Sequence, residues 1–383
     1  MRKIVTLFLI VVSIAAGAVF GQELSGHLDS TVNYTAGGRD GTDHSWGLEE
    51  YANLRLRVRA GEKATFFGAL NLIALSGNYL KAATYTAGQN PYFASTPFIY
   101  GENFAAAIEL ERLYVRINGE YIDAEAGLLR LNFGYSQVWG SSDFLNPRNP
   151  LTVNARPRGL LGIDASFYPT DSLKLLCFTA GPEDPTEAGG GGFIPGISLE
   201  KHWDRASLQV LYAGETPLEG SQWGIHRAGL SVKADLALGL YLDTLYTLNP
   251  SKTEGVDGLS VGVGADYSLL GGDLYLLAEY LYNGSASDTA LGGSRANHHY
   301  LYGTALYRIN DFCSLSLSAM LCCDDRSISP FLTLTYELFQ GFTVNATARV
   351  TVDQKDLHSG DPGELGPEGA GRFILDVGAR LRF

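Results

Sequence analysis

Sulfur and imidazole are scarce in this chain: its 383 residues include four cysteines, two methionines and seven histidines. Four cysteines over such a length do not make the disulfide framework that holds small secreted domains together. Cys177 and Cys313 sit inside strand-like runs, where they serve as small apolar residues. The adjacent Cys322 and Cys323 read as ordinary loop thiols rather than a strained bridge or a metal site. Few histidines also means few candidate bases. No serine or aspartate has a histidine that strand alternation would set on the same face at the same height, which argues against a membrane-embedded hydrolase. His298 and His299 read as solvated loop residues, and no metal or cofactor is expected.

Basic charge is short too. Lys+Arg number 28 against 41 Asp+Glu, a formal net charge of −13, which excludes nucleic acid as a partner because phosphate binding needs basic patches. Long apolar runs are missing beyond residue 21, so no transmembrane helix is expected. What is abundant is aromatic and conformationally free: 21 Tyr, 18 Phe and 46 Gly in a chain that is 45% hydrophobic. This mix suits many short strands joined by tight turns.

The opening MRKIVTLFLIVVSIAAGAVFGQ has a basic start at Arg2 and Lys3, an apolar stretch from Ile4 to Ala16, and small residues leading to Gly21. This is the layout of an export signal over 1–21, too short in its apolar run for a spanning helix. Removing Arg2 and Lys3 takes Lys+Arg from 28 to 26 and the net charge from −13 to −15. Residues 22–383 then form one domain.

That domain repeats a single unit: an alternating run of about ten residues, a short turn, a second run, and a longer polar loop. Strands are expected at 24–35, 49–60, 64–76, 106–118, 121–131, 159–168, 172–180, 194–202, 206–214, 223–234, 239–248, 259–269, 274–283, 299–309, 312–321, 328–338, 342–352 and 372–383. Long and short connections alternate without a break, as extracellular loops and periplasmic turns do. The fold class expected is all-β: a transmembrane antiparallel barrel of about 18 strands. A soluble sandwich gives no reason for that order of connections.

Alternation also assigns the faces. In "FTVNATARVTV", Phe342, Val344, Ala346, Ala348, Val350 and Val352 point to lipid and the residues between them to a wet lumen. By the same rule Arg55, Arg57 and Arg59 face the lumen on one strand, roughly 6–7 Å apart. Arg112 and Arg116 join them, with Arg349, Arg380 and Arg382 on the last two strands. Closure makes these one basic arc. Asp243, Asp266 and Glu279 are expected about opposite, and Asp123, Glu125 and Asp164 at the flank. The connection at 132–158, with Phe133, Tyr135, Trp139, Asp143, Phe144 and Asn146, is expected to fold inward as a constriction, since its aromatic rings need burial.

The last strand, with Phe373, Leu375, Val377, Leu381 and Phe383 on one face, resembles the assembly signal of bacterial outer-membrane barrels. That resemblance implies recognition by the barrel-assembly machinery. The stretch "AGLLRLNFGYSQVWGSSDFLNPRNPLT" from Ala126 to Thr152 resembles a motif of porin-like families that include alginate-export-type barrels. The overall pattern is similar to spirochaete outer-membrane barrels. The expected function is an outer-membrane porin or channel for passive diffusion of small hydrophilic solutes, favouring small anions through the basic row. The competing reading is a surface adhesin or structural barrel acting through its loops, chiefly 77–105 and 353–371.

N-terminal sequencing of the exported protein should give Gln22 as the first residue, because Val19 and Gly21 are the small side chains that signal peptidase selects. A start beyond Leu28 would contradict the first strand.

Overall fold

In a computed structural model the described residues are 22–37, 43–77, 97–146, 159–181, 192–216, 224–248, 258–284, 298–324, 326–352 and 373–383. The export signal expected at 1–21 lies outside them. Nineteen strands occur among the described residues: β1 (Gln22–Gly37), β2 (Asp43–Ala60), β3 (Ala64–Gly77), β4 (Pro97–Tyr100), β5 (Phe104–Asn118), β6 (Ile122–Leu129), β7 (Leu160–Thr170), β8 (Leu173–Ala180), β9 (Ile194–Trp203) and β10 (Ala206–Gly214). They continue with β11 (His226–Asp235), β12 (Gly239–Leu248), β13 (Leu259–Leu269), β14 (Leu274–Asn283), β15 (His299–Asn310), β16 (Cys313–Cys322), β17 (Ile328–Phe339), β18 (Phe342–Val350) and β19 (Phe373–Arg382).

Eighteen of these close into one antiparallel barrel, each paired with its sequence neighbour and β19 paired with β1. The seam runs from His27 opposite Arg382 to Ala36 opposite Phe373. Beyond it, Gly26 and Phe383 exchange backbone hydrogen bonds at 2.9 and 3.1 Å. Closure leaves no strand edge, the condition for a sheet to cross hydrocarbon.

Two elements differ from the sequence reading. The segment 77–105, expected to be all loop, contains β4, which pairs with β5 alone. It takes the extracellular edge of β5 above the level where β6 stops at Leu129 and the chain leaves the wall. The connection expected at 36–47 is mostly strand, since β1 runs to Gly37 and β2 starts at Asp43. Here a polar "DHSW" extends a strand against its hairpin partner, an effect of pairing that composition does not carry.

The outer surface is an apolar belt. Leu54, Val210, Leu230, Val263, Leu301, Leu317, Leu332, Val377 and Leu381 alternate with inward residues, most of them well exposed. Aromatic side chains mark strand ends, with Tyr34, Tyr267, Tyr307 and Phe312 exposed as expected of interfacial rings. Phe383 sits at the periplasmic end of that row, 53% exposed. The largest buried apolar cluster lies inside the barrel, where Phe133 and Leu145 pack on Leu160, Leu176, Phe178, Ile194 and Leu211.

The facing sets an experiment. Leu317→Arg, on the outer face of β16, should destabilise the folded barrel by about 2–4 kcal/mol in lipid. Ser316→Asn, one residue away on the inner face, should change stability by no more than about 0.5 kcal/mol. A larger cost at Ser316 than at Leu317 in urea titrations would mean the two faces are assigned the wrong way round, and equal costs would mean these positions do not divide between lipid and lumen.

Candidate functional site

The site starts where β6 ends. After Leu129 the chain turns into the lumen, and residues 130–146 run along the inner wall from β8 to β16 and back. A loop in that position carries backbone N–H groups that must find acceptors. The wall provides them as carboxylates. Tyr135 N–H and Ser136 N–H donate to Asp243 at 2.9 and 2.6 Å. Gln137, Val138 and Trp139 N–H groups donate to Glu279 at 3.1, 3.0 and 2.9 Å. The Ser136 hydroxyl and the Tyr241 phenol complete the shell of Glu279, each at 2.8 Å. Asp243 and Glu279 are almost fully buried beneath the loop. A buried carboxylate is tolerated only with such a set of donors.

Apolar contacts fix the two ends. Phe133 packs on Phe144 and Phe178, with ring centroids 5.9 and 5.2 Å apart. Trp139, 1% exposed, packs with Leu281, Tyr300, Met320 and Cys322. Cys322 therefore closes β16 as a buried apolar residue rather than a loop thiol, while Cys323 is exposed. Asp143 is buried, and Asn146 donates from its amide to the Leu131 carbonyl at 2.5 Å. The Tyr135 phenol donates to Glu200 at 3.0 Å; burial and that carboxylate push its pKa up. Residues 147–158, the remainder of the expected constriction, lie outside the described residues.

The wall is shaped to take the loop. A side chain at Gly262 would collide with the Ser141 and Ser136 hydroxyls, so "VGVG" on β13 clears space for backbone approach. Gly134, at φ +85°, lets the chain turn against the Asp243 carboxylate.

Opposite the loop stand the arginines. Arg55, Arg57 and Arg59 share the inner face of β2 with the buried Asn53. Across β3, Ala69 separates Arg55 from Arg112, and Thr65 separates Arg59 from Arg116. Arg57 and Arg59 reach Glu23 at 3.5 and 3.3 Å. Arg116 pairs with Glu125, which lies beside Asp164 in the ladder, and Asp123 sits one inward position below Glu125. Arg380 grips Asp29 through two bonds of 2.6 and 2.7 Å. Arg382 lies opposite His27, and Arg349 faces inward near the extracellular end of β18. Among the described residues, Arg55 and Arg112 have no carboxylate within 4 Å, unlike Arg57, Arg59, Arg116, Arg130 and Arg380.

Two expectations change. The acidic wall foreseen in Asp243, Asp266 and Glu279 does not face the arginines across open water. Asp243 and Glu279 hold the loop, and Asp266 accepts from the Gln137 amide at 3.1 Å. A second, unforeseen acidic group stands among the arginines. A bulge in β5 at Glu111 turns Glu109, Glu111 and Arg112 all inward. Asn53 donates to Glu111 and Asn71 to Glu109, at 2.7 and 3.0 Å, and Arg130 pairs with Glu111 at 3.3 Å. Burial, with Arg112 beside it, lowers the Arg130 pKa to about 10, still charged at neutral pH. Strict alternation could not find Glu111. The hint for Glu279 was its setting in "LYLLAEYLYN", where Leu277 and Leu281 flank it on the same face and call for an apolar cover.

No protein-family model matches the sequence, and no curated protein matches it either. Solved structures do. OccAB4 of Acinetobacter baumannii aligns over 94% of this chain and 98% of its own at 10% identity and TM-score 0.59. A BenF-like porin of Pseudomonas fluorescens Pf-5 aligns over 94% and 99% at 9% identity and TM-score 0.58. OpdK of Pseudomonas aeruginosa, solved with vanillate, aligns over 94% and 98% at 7% identity and TM-score 0.57. The fold is that of outer-membrane porins. At these identities the likeness is one of architecture, and residue roles rest on the geometry above.

Glu279→Ala would strand five donors, each worth about 1–3 kcal/mol when buried and unmet. The loop should then leave the wall, exposing Arg130 to trypsin in the folded barrel and making single-channel current noisier. A quiet, protease-resistant variant would show that the apolar anchors suffice.

Proposed function

We propose that this barrel is an outer-membrane channel for passive diffusion of small hydrophilic solutes, with a preference for small anions. One observation carries the reading. The inward loop takes up one side of the lumen and is bound to the wall by the very carboxylates that could have balanced the arginines. The path beside it is bounded by Arg55, Arg112 and Arg130, with Arg57, Arg59, Arg116, Arg380 and Arg382 toward the periplasmic mouth. A row of moderately spaced cations favours entry of an anion without tight capture at any one point, as conduction requires. Glu109 and Glu111 temper the row, and Glu111 keeps Arg130 in place.

The barrel fold shared with porins supports the outer membrane as its location, and OpdK's vanillate is itself a small carboxylate. We also infer that the Phe373–Phe383 row is read by the barrel-assembly machinery. Kinship with alginate-export-type and spirochaete barrels is inferred from the Ala126–Thr152 stretch and the strand pattern. The adhesin reading depends on loops of which 78–96 and the whole of 353–371 lie outside the described residues.

Replacing Arg55 and Arg112 together by Gln should move the reversal potential in a salt gradient toward cation preference. The shift should exceed that from Arg57→Gln with Arg59→Gln, because the second pair lies nearer the periplasmic mouth and is already partnered by Glu23. Planar-bilayer recordings decide. Folded, conducting variants with an unchanged reversal potential would remove the anion preference.

A further inference from the structure

The basic arc has a neighbour of different chemistry. On the inner face of β16–β18, Ser314, Ser316, Thr333, Thr335, Thr343 and Asn345 are half-buried and point into the lumen. They form lateral rows: Ser314 lies opposite Thr335 and Thr335 opposite Asn345, while Ser316 lies opposite Thr333. Thr343 stands opposite Arg380, so the rows meet the arginines directly. Among the described inward residues of these three strands only Glu337 and Arg349 are charged, one near each end.

The hydroxyls already touch one another. Thr304 meets Ser318 at 2.7 Å and Ser316 at 3.3 Å, and Thr333 meets Thr347 at 3.0 Å. A hydroxyl offers one donor and two acceptor sites, so each bond within the wall leaves capacity for a solute. Among the described residues the contacts of the loop end at Met320 and Cys322, on the extracellular part of β16. Above the rows, Tyr302 and Phe331 pack with ring centroids 6.3 Å apart and bound the track on its extracellular side.

We propose that β16–β18 form a hydroxyl track which, beside the arginines, makes small carboxylates carrying several hydroxyl groups the favoured solutes. This rests on the anion-channel reading and names the solute class within it. A polyhydroxylated carbon chain exchanges its water hydrogen bonds for those of the wall at little cost while its carboxylate follows the arginines. A plain alkyl chain on the same path strips water from the wall hydroxyls and returns nothing.

The test uses bi-ionic reversal potentials of the refolded full barrel, with gluconate and hexanoate as probes and chloride as reference. In the wild type, gluconate permeability relative to hexanoate should exceed the ratio of their mobilities in free solution. In a variant carrying Ser314→Ala, Ser316→Ala, Thr333→Val and Thr335→Val, the ratio should fall about five-fold, with chloride permeation unchanged. A wild-type ratio equal to the free-solution ratio overturns the proposal without any variant. An unchanged ratio in a folded variant overturns it as well. The Arg55→Gln, Arg112→Gln barrel separates the two claims: unaltered permeation of both carboxylates there strikes the anion reading. A gluconate ratio that falls only when the hydroxyls are removed supports the track.

Discussion

Everything in this molecule follows from one constraint: inside hydrocarbon, a backbone N–H or C=O without a partner costs several kcal/mol. A chain of short strands can meet it only by closing, and β19 pairing with β1 is that closure. Once the sheet is closed, alternation divides every strand between lipid and lumen. The lipid side is mostly apolar and aromatic, with Glu50 of β2, which accepts a hydrogen bond from Ser30 at 2.7 Å, a charged departure from it. The lumen side is free to carry arginines, carboxylates and hydroxyls, and to receive a loop.

The loop brings the same constraint inside. Residues 134–139 cannot pair as a strand, so their N–H groups need acceptors from the wall. Gln209 takes Gly134 at 2.7 Å, Asp243 takes the next two and Glu279 the three after them. Inward carboxylates are usually counted as part of the permeation field. Here the most buried pair belongs to the architecture, which leaves the field one-sided.

How far the sequence shows this can be argued residue by residue. The outer face was legible because a charged side chain turned to lipid is costly: "FTVNATARVTV" and "RFILDVGARLRF" declare their faces by composition. The arginines of β2 were legible for the same reason. Glu111 was not, because a bulge breaks parity and its cause lies in pairing with Ala69 and Leu70, not in β5 itself. The short β4 was hidden since it exists only to occupy an edge that β6 vacates. Asp243 and Glu279 were placed on the correct face with the wrong partner. Alternation reports direction, but what a side chain meets there depends on a loop that runs from β8 to β16.

This division has a mechanical consequence. Apolar anchors at Phe133 and Trp139 and carboxylate ties between them attach the loop to β8–β16. No bond in that set uses an arginine of β2 or a hydroxyl of β16–β18. The half of the lumen that holds the loop and the half that carries the proposed solute path are thus separate sets of residues. Glu111 is where they touch, because it binds Arg130 at the root of the loop and Asn53 beside Arg55. In the proposed channel a substitution at Ser316 or Arg55 alters what the wall offers a solute and leaves the loop's own bonds intact, whereas one at Glu111 changes both. On that reading selectivity can drift on one side of this barrel while the loop stays bound to the other.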